Sequence, residues 1–361
     1  MKNFLTWEQT LFKDRDIFDS GYVPDQFLYR EAQMKSIGYA IAPGIEGKQP
    51  QNVVCVGPPG TGKTTSFKKI IEQAEQVSPS NLILAYINCR YTQTHYSVLA
   101  EVYKQITGIE PPTSGIAMKK VYEKIARTLV TKNKSMFVIL DDADFLISRK
   151  IFHDIVNNFL RLHEEYPLSI GLSTVHSTQY PLLDDGLTSV FIPTIIKFPS
   201  YSWDEIFDIL NKRAKIGLYP NVVKNEILEK ITDYAVSKGD IRFGIDLLKR
   251  SVISAEKRSS TFAELTDVDN ALIEASNERM KKYLNAITDS EMALLNLASD
   301  MGTSQAGDLF CAFSKRTRKG YTTFHKSLNK LVDAKLVDSH IENRGKNGRT
   351  RIITAKQLST C

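Results

Sequence analysis

Residues 57–64 constrain the fold of this chain more than any other part of the sequence. They match the pattern G-x-x-x-x-G-K-[ST] in full and lie between an apolar run, 53–56, and a stretch with helical spacing, 63–76. The glycines let backbone N–H groups close around a phosphate, and the N-terminus of the following helix adds a positive dipole. We therefore predict a strand, a phosphate-binding loop and a helix in this order.

The loop supplies a first set of candidate binding residues. Lys63 brings positive charge to the β- and γ-phosphates of a nucleoside triphosphate, and the hydroxyl of Thr64 is a ligand for Mg²⁺. The predicted cofactors are therefore ATP or ADP together with Mg²⁺. The predicted nucleotide-binding residues of the loop are Gly57, Pro58, Pro59, Gly60, Thr61, Gly62, Lys63, Thr64 and Thr65.

A second apolar run, 137–140, ends in the acidic pair Asp141 and Asp142, 78 residues after Lys63. An acidic pair after a strand is often only a cap or a turn. Together with a phosphate-binding loop, however, it predicts the second half of an ATPase site. Asp141 would hold Mg²⁺ through water, and Asp142 would orient the attacking water.

Predicted strands and helices alternate from residue 53 to about residue 174, which indicates a parallel sheet covered by helices. Before this part, short helical patterns alternate with turn signals such as Ala42-Pro43-Gly44. We predict an α/β nucleotide-binding core over residues 1–198 and an all-helical lid over residues 199–283. The helical patterns of the lid cover 203–217, 222–237, 240–258 and 266–283.

The last part of the chain carries most of the net positive charge. The whole chain has 47 Lys and Arg residues against 41 Asp and Glu residues, a net charge of +6, and residues 285–361 contribute 12 against 7, a net charge of +5. Predicted helices at 288–300, 303–313 and 320–334 precede two short apolar runs around a basic, glycine-containing tip. This pattern is typical of a winged-helix domain, predicted over residues 284–361, whose third helix is the recognition helix of a helix-turn-helix.

The basic residues of this domain concentrate in two runs on either side of the predicted recognition helix. Clustered positive charge of this kind predicts contact with a polyanion, here double-stranded DNA. The start of the helix would approach base edges, and the wing, with Arg351 as a further candidate, would reach the minor groove or the phosphates. The predicted DNA-binding residues are Lys315, Arg316, Arg318, Lys319, Thr322, Thr323, Lys326, Arg344, Lys346 and Arg349.

Further segments accompany the phosphate loop and the acidic pair. They are Tyr22-Val23-Pro24 with Tyr29-Arg30-Glu31, Asn88-Cys89-Arg90-Tyr91 with Pro112-Thr113-Ser114-Gly115, Phe198-Pro199-Ser200-Tyr201, and Gly239-Asp240-Ile241-Arg242. With these segments, the chain from about residue 12 to residue 351 resembles the archaeal replication-initiator ATPases related to the origin recognition complex and to cell division control protein six. These proteins are members of the AAA+ class, so the resemblance implies an AAA+ core, a helical lid and a winged helix.

The resemblance implies roles for residues that the pattern alone does not single out. Tyr201 and Arg213 would contact the nucleotide, and Arg242 would touch the γ-phosphate from the start of a helix. The segments between residues 22 and 31 would lie near the adenine. A loop near residues 113–115 would make a second contact with DNA.

Three positions depart from the family pattern. Asp142 stands in place of the usual Glu, Thr174 in place of the usual sensor Asn, and Gly186 in place of the arginine finger. Removing such a finger costs on the order of 10³–10⁵ in rate in other phosphate-loop enzymes. We therefore expect an ATPase that binds ATP firmly and hydrolyses it slowly. Its candidate catalytic residues are Lys63, Asp141, Asp142, Thr174 and Arg242.

The function implied by the resemblance is DNA replication initiation. Such a protein binds origin DNA with ATP and helps to recruit or load the replicative helicase, with other copies or paralogues on the same DNA. Two alternatives stay open: a paralogous DNA-binding regulator that uses nucleotide as a structural switch, and another AAA+ ATPase such as a clamp loader.

We expect a cytoplasmic, nucleoid-associated protein with no membrane partner. No apolar run approaches the ~20 residues that a membrane-spanning helix needs. Cys55 and Cys89 lie in apolar, strand-like runs, which indicates reduced thiols in the core.

Overall fold

The computed structural model of the chain describes residues 10–19, 21–76, 81–111, 117–149, 151–166, 170–176, 191–333, 336–343 and 349–355. The chain forms two compact units, Met1–Val268 and Asp269–Cys361, which are described separately. Within the described residues, no helix is both long enough and apolar enough to cross a bilayer.

The first unit contains a five-stranded parallel sheet with the strand order β2-β3-β4-β1-β5. The strand that precedes the phosphate loop is therefore internal, between β4 and β5, and the predicted parallel sheet is confirmed. The sequence pattern does not predict β5, because four residues beside Pro193 are too short a run to stand out. The strands are β1 (Val53–Val56), β2 (Leu82–Asn88), β3 (Ser135–Asp141), β4 (Ile170–His176) and β5 (Thr194–Lys197).

Helices cover both faces of this sheet. Alternate residues of β3 divide between two apolar clusters, because successive side chains of a strand point to opposite faces. Val138 belongs to a cluster with Leu99 and Ile125, whereas Ile139 belongs to a second cluster with Phe67. The helices of the core are α1 (Glu31–Ile45), α2 (Lys63–Gln76), α3 (His95–Thr107), α4 (Met118–Lys132), α5 (Asp144–Ser148), α6 (Phe152–Leu160) and α7 (Leu162–Glu165).

The turn predicted at Ala42-Pro43-Gly44 is wrong, because these residues form the last turn of α1. Proline there removes one backbone donor, but the carbonyl groups of this turn find partners further along the chain. Gln51 N–H donates to the carbonyl of Ala40 at 2.9 Å, and Lys48 N–H donates to the carbonyl of Pro43 at 2.8 Å. The chain that follows the helix thus supplies donors to the carbonyl groups of Ala40 and Pro43.

The lid consists of α8 (Trp203–Gly217), α9 (Asn225–Lys238), α10 (Ile241–Lys257) and the start of α11 (Leu265–Ala286). A capping box of Ser202 and Glu205 begins α8, and the side chain of Asp240 caps α10. The N-terminal segment packs on this lid. Phe12 forms a β-bridge with Leu218.

Among its described residues, the second unit contains the C-terminal part of α11, three further helices and a three-stranded antiparallel sheet with the order β6-β8-β7. Leu294, Phe313 and Phe324 lie together in its apolar core. This arrangement confirms the predicted winged helix. Its elements are α12 (Asp289–Met301), β6 (Thr303–Gln305), α13 (Ala306–Thr317), α14 (Tyr321–Asp333), β7 (Val337–Asn343) and β8 (Arg349–Ala355).

The helix predicted from residue 303 begins instead at Ala306. Gly302, with φ of +63°, ends α12 in a conformation that favours glycine. The next three residues are extended and pair with β8, where Thr303 lies opposite Thr354. The pairing of this short strand with the sheet outweighs the helical spacing of the local sequence.

Candidate nucleotide-binding site and DNA-binding surface

A cavity of about 960 Å³ lies in the first unit between the phosphate loop and the lid. Its lining includes Lys63 and Thr64 from the loop and Tyr201, Arg213 and Arg242 from the lid. Loop residues 59–65 also line it, whereas Gly57 and Pro58 form the base of the loop. The structure therefore brings together, around one cavity, the binding residues that the sequence places far apart.

The side chain of Lys63 is folded back onto its own loop. Its Nζ donates to the carbonyl of Gly57 at 2.6 Å and to that of Pro58 at 2.8 Å. Burial lowers the pKa of this amine from its usual value, and the nearby Asp141 carboxylate opposes that shift. The ammonium group is thus hydrogen-bonded to neutral carbonyl groups. A phosphate oxygen can replace these carbonyls as the acceptor.

Two glycines of the loop permit close backbone packing. A Cβ atom on Gly60, where φ is +77°, would lie 2.1 Å from Asp240 Oδ1. A Cβ atom on Gly57 would lie 2.2 Å from the carbonyl oxygen of Phe198. Glycine is therefore required where the loop meets the start of the lid and the N-terminus of α10.

The two predicted metal ligands are in contact. Thr64 Oγ1 donates a hydrogen bond to Asp141 Oδ2 at 2.8 Å, and Asp142 N–H donates to Asp141 Oδ1 at 3.1 Å. Burial raises the pKa of the Asp141 carboxyl, while hydrogen bonds from Tyr86 and Thr64 oppose that shift.

These hard oxygen donors suit Mg²⁺, which is commonly held by one or two protein groups, waters and phosphates. In the described part of the chain, no group of three or more His, Cys, Asp or Glu side chains is placed to hold a metal by itself.

The other two predicted hydrolytic positions lie beside this pair. Asp142 has a φ of +54°, lines the cavity, and its carboxylate lies 3.5 Å from Arg90 Nε. Thr174 is fully buried in β4, where it pairs with Val54 of β1 and Leu140 of β3. Gly186 and residues 113–115 lie outside the described residues.

Arg242 lies at the first turn of α10 and lines the cavity. Its guanidinium forms a two-pronged contact with Asp240, with Nη2 at 2.7 Å from Oδ2 and Nε at 2.9 Å from Oδ1. This hydrogen bonding raises the pKa of Arg242. The sequence predicts Asp240 as the N-cap of this helix, and its side chain indeed accepts from Arg242 N–H. It also holds the guanidinium of Arg242, a contact that the sequence does not predict.

The remaining two predicted lid contacts are anchored by the N-terminal segment. Arg213 donates to the carbonyl of Ile17, and its guanidinium lies 4.9 Å from the ring centroid of Tyr22. Tyr201 lies against the guanidinium of Arg30, at 3.7 Å from the ring centroid. Both lid residues line the cavity while contacting residues near the start of the chain.

Arg30 belongs to a segment that the resemblance places near the adenine, but residues 29–31 do not line the cavity, unlike residues 21–28. The side chain of Arg30 is almost fully buried, and it donates to the carbonyls of Thr61 at 2.8 Å, Tyr29 at 2.6 Å and Pro199 at 2.7 Å. These bonds join the phosphate loop to the first residues of the lid. The resemblance singles out the segment but not this role, because the partners of Arg30 include backbone carbonyls far along the chain.

In the second unit, the predicted DNA-binding residues that are described lie on α13, α14 and the turn between them. Most are exposed, and Thr323 is half-buried. Arg344 and Lys346 lie outside the described residues, and Arg349 is described only as a backbone partner of Asn343. The exposed set is Lys315, Arg316, Arg318, Lys319, Thr322 and Lys326.

Two of the residues predicted to contact DNA form side-chain hydrogen bonds within the second unit. The ammonium of Lys319 donates to the hydroxyl of Ser290, at the start of α12. Arg351 donates to Asn329 Oδ1 and to Ser339 Oγ, both at 2.9 Å. Arg351 therefore joins the sheet to α14, so its side chain has a structural contact that the sequence does not predict.

The central phosphate loop, the parallel sheet and the helical lid define a nucleotide-binding protein of the AAA+ class. Two family profiles agree with this class, one described as "AAA domain" over residues 46–179 and one described as "Cdc6 AAA+ ATPase-type lid domain" over residues 207–272.

The chain is 37% identical over 358 residues to the ORC1-type DNA replication protein 2 of Methanosarcina acetivorans, covering 98% of this chain and 95% of that protein. The chain belongs to the family of ORC1-type DNA replication proteins.

Solved structures share the fold. The Aeropyrum pernix ORC1 protein in complex with DNA has a TM-score of 0.80 at 23% identity, over 98% of this chain and 96% of that one. The Aeropyrum pernix ORC2 protein in its ADPNP-ADP complexes has a TM-score of 0.63 at 25% identity, over 96% and 94%.

Proposed function

We propose that this chain is an ATP-binding DNA replication initiator. It binds duplex DNA at a replication origin and helps to recruit or load the replicative helicase, together with other copies or paralogues. The observation that carries the proposal is the cavity in which Lys63, Thr64 and Arg242 converge, in a chain of the ORC1-type family. The protein would act in the cytoplasm, on the nucleoid.

ATP or ADP is the proposed ligand of the cavity. A relative of this fold is described in ADPNP-ADP complexes, which supports an adenine nucleotide here. Lys63 and Arg242 would neutralise phosphate charge, and Tyr201 and Arg213 would hold the remainder of the nucleotide from the lid. Thr64 and Asp141 would hold Mg²⁺, which when bound neutralises charge on the β- and γ-phosphates.

We assign hydrolysis, where it occurs, to the acidic pair and its neighbours. Asp142 lines the cavity and would orient the attacking water. Thr174 is buried in β4 and does not line the cavity, so it would act on the phosphate only through neighbouring groups. The ion pair of Asp142 with Arg90 holds its carboxylate at the cavity wall. The backbone N–H groups of loop residues 60–65, which include Thr65, would bind phosphate, whereas Pro58 and Pro59 have no N–H and would shape the loop.

DNA binding is assigned to the second unit, within a winged-helix domain that we place at residues 284–361. The core and the lid are placed at residues 1–198 and 199–283. A relative of this fold is described in complex with DNA, and the exposed basic run before α14 has the charge that phosphates attract.

The exposed positive charge of the second unit leads to a prediction about the salt dependence of DNA binding. Replacing both Arg316 and Lys326 by alanine removes two exposed cations that we assign to phosphates. The slope of log K for duplex DNA against log salt concentration should become shallower by about two units, since each lost phosphate contact contributes about 0.9. Fluorescence anisotropy from 50 to 300 mM salt measures it. Lys35→Ala, an exposed cation of the first unit, is the matched control, and an unchanged slope would contradict the assignment.

The proposed role in initiation is tested by mapping the sites that the protein binds in genomic DNA. Footprinting of the purified protein on total genomic DNA of its source organism should protect one locus or a few loci with repeated sequence elements, because an initiator acts where replication begins. Protection of many promoters would instead identify a paralogous regulator. Rapid, multi-turnover ATP hydrolysis without DNA would point to a clamp-loader-like ATPase.

A further inference from the structure

The carboxylate of Asp141 is held from two sides. Its Oδ2 atom accepts a hydrogen bond from Thr64 Oγ1 at 2.8 Å and a second from the phenol of Tyr86 at 2.5 Å. Thr64 lies on α2, directly after the phosphate loop, whereas Tyr86 lies on β2, the strand next to β3. The sheet thus supplies its own hydrogen-bond donor to the predicted metal-binding carboxylate, independent of the loop.

Tyr86 suits the role of a hydrogen-bond donor. Its side chain is partly buried, and a tyrosine phenol carries its proton at neutral pH. A carboxylate oxygen has two lone-pair directions, so Asp141 Oδ2 can accept from Tyr86 and still face a metal-bound water.

Tyr86 is itself fixed from outside the sheet. β2 is an edge strand that pairs only with β3, so the outward N–H and carbonyl of Tyr86 have no neighbouring strand. The side chain of Gln105, on α3, forms the hydrogen bonds that a neighbouring strand would otherwise form. Tyr86 N–H donates to Gln105 Oε1 at 2.9 Å, and Gln105 Nε2 donates to the carbonyl of Tyr86 at 2.8 Å. Gln105 Nε2 also donates to Glu101 Oε1 at 2.7 Å.

We propose that Tyr86 is a positioning residue for the Mg²⁺-binding carboxylate of Asp141, and that Gln105 locks Tyr86 in register at the sheet edge. The inference rests on the proposed binding of Mg²⁺ with ATP. When Mg²⁺ is bound, the hydroxyl of Thr64 would serve as a metal ligand and would no longer donate to Asp141. The hydrogen bond from Tyr86 would then be the remaining side-chain restraint on Oδ2 among the described residues.

The test compares ATP binding with and without the metal. Tyr86→Phe retains the ring and removes only the hydroxyl, so its effect reports the hydrogen bond. The affinity for a fluorescent ATP analogue is measured in excess Mg²⁺ and again in EDTA. In Tyr86→Phe the enhancement of affinity by Mg²⁺ should fall by about 10- to 100-fold, the usual effect of removing a partner of a metal ligand. The affinity in EDTA should change less than about twofold, because Tyr86 does not line the cavity.

Tyr103→Phe is the matched control. Tyr103 lies on α3 in the adjacent apolar cluster, and its hydroxyl has no hydrogen-bond partner among the described residues. Gln105→Leu is the second variant, since it keeps the helix and removes both bonds to Tyr86. It should lower the Mg²⁺ enhancement in the same direction as Tyr86→Phe, and it decides the question if Tyr86→Phe does not fold.

Three outcomes are decisive. A lowered Mg²⁺ enhancement in Tyr86→Phe and Gln105→Leu, with Tyr103→Phe unchanged, supports the positioning role. A wild-type enhancement in a folded Tyr86→Phe overturns it and leaves the proposed function intact. An unmodified protein whose nucleotide affinity does not depend on Mg²⁺ overturns the proposed metal-dependent ATP binding, and this inference with it.

Discussion

Replacing Lys63 by alanine should reduce the affinity for ATP by roughly 100-fold, because the loop then loses its charged partner for the β- and γ-phosphates. Losing one partner of a buried, charged hydrogen bond costs about 3 kcal/mol, and each 1.4 kcal/mol is a factor of ten. The fold should survive. Among the described residues, the hydrogen bonds of the ammonium go to two neutral carbonyls of its own loop, those of Gly57 and Pro58, so its removal breaks no ion pair that joins separate elements.

Isothermal titration with ATP and Mg²⁺ measures this loss. Lys69→Ala provides a matched control, because Lys69 lies on the same helix, pairs with Glu72 at 3.1 Å and does not line the cavity. Circular dichroism of both variants checks that α2 is retained. If Lys63→Ala kept the affinity of the unmodified protein, the proposed assignment of the cavity to nucleotide would be wrong.

Replacing Arg30 by methionine should both destabilise the first unit and weaken ATP binding. Methionine keeps the length of the side chain but leaves the carbonyls of Thr61 and Pro199 without their buried donor. Each hydrogen bond to a charged group contributes about 1.5–3 kcal/mol, so losing these bonds should cost at least about 3 kcal/mol. For a unit of this size, that corresponds to a melting temperature lower by about 6–12 °C.

The two effects have separate measurements. Thermal unfolding by circular dichroism reports stability, and titration well below the melting temperature reports ATP affinity. Arg127→Met is the control, since Arg127 is exposed on α4 and takes no part in the cavity. A variant as stable as the control, with unchanged ATP affinity, would show that Arg30 does not join the loop to the lid.

The sheet and the phosphate site were predictable because their signals are local. The phosphate loop occupies consecutive positions, and Asp141 can be placed because it ends an apolar strand. Since the carboxyl ends of parallel strands meet at one edge of a sheet, the order of β1 and β3 then brings Asp141 beside Thr64. The helical lid was equally visible as a series of amphipathic segments after residue 199.

The contacts of Arg30 and Tyr86 could not be predicted, because they join parts of the chain that are far apart in sequence. Arg30 was singled out only as part of a segment expected near the adenine. Arg30 meets Thr61 31 residues later and Pro199 169 residues later, and Tyr86 meets Asp141 across 55 residues. A local sequence pattern does not indicate contacts between residues that are so far apart in the chain. The error at Pro43 has a different cause, since a proline in the last turn of a helix costs little when later residues satisfy the carbonyls.

The pairing of Gln105 with Tyr86 also bears on how the protein avoids aggregation. β2, with the sequence LILAYIN, is rich in strand-forming apolar residues and lies at the edge of the sheet. An open edge of this kind is a template on which a strand of another molecule can add. By pairing with the outward N–H and carbonyl of Tyr86, the side chain of Gln105 takes from that edge two hydrogen-bonding groups that an added strand would need.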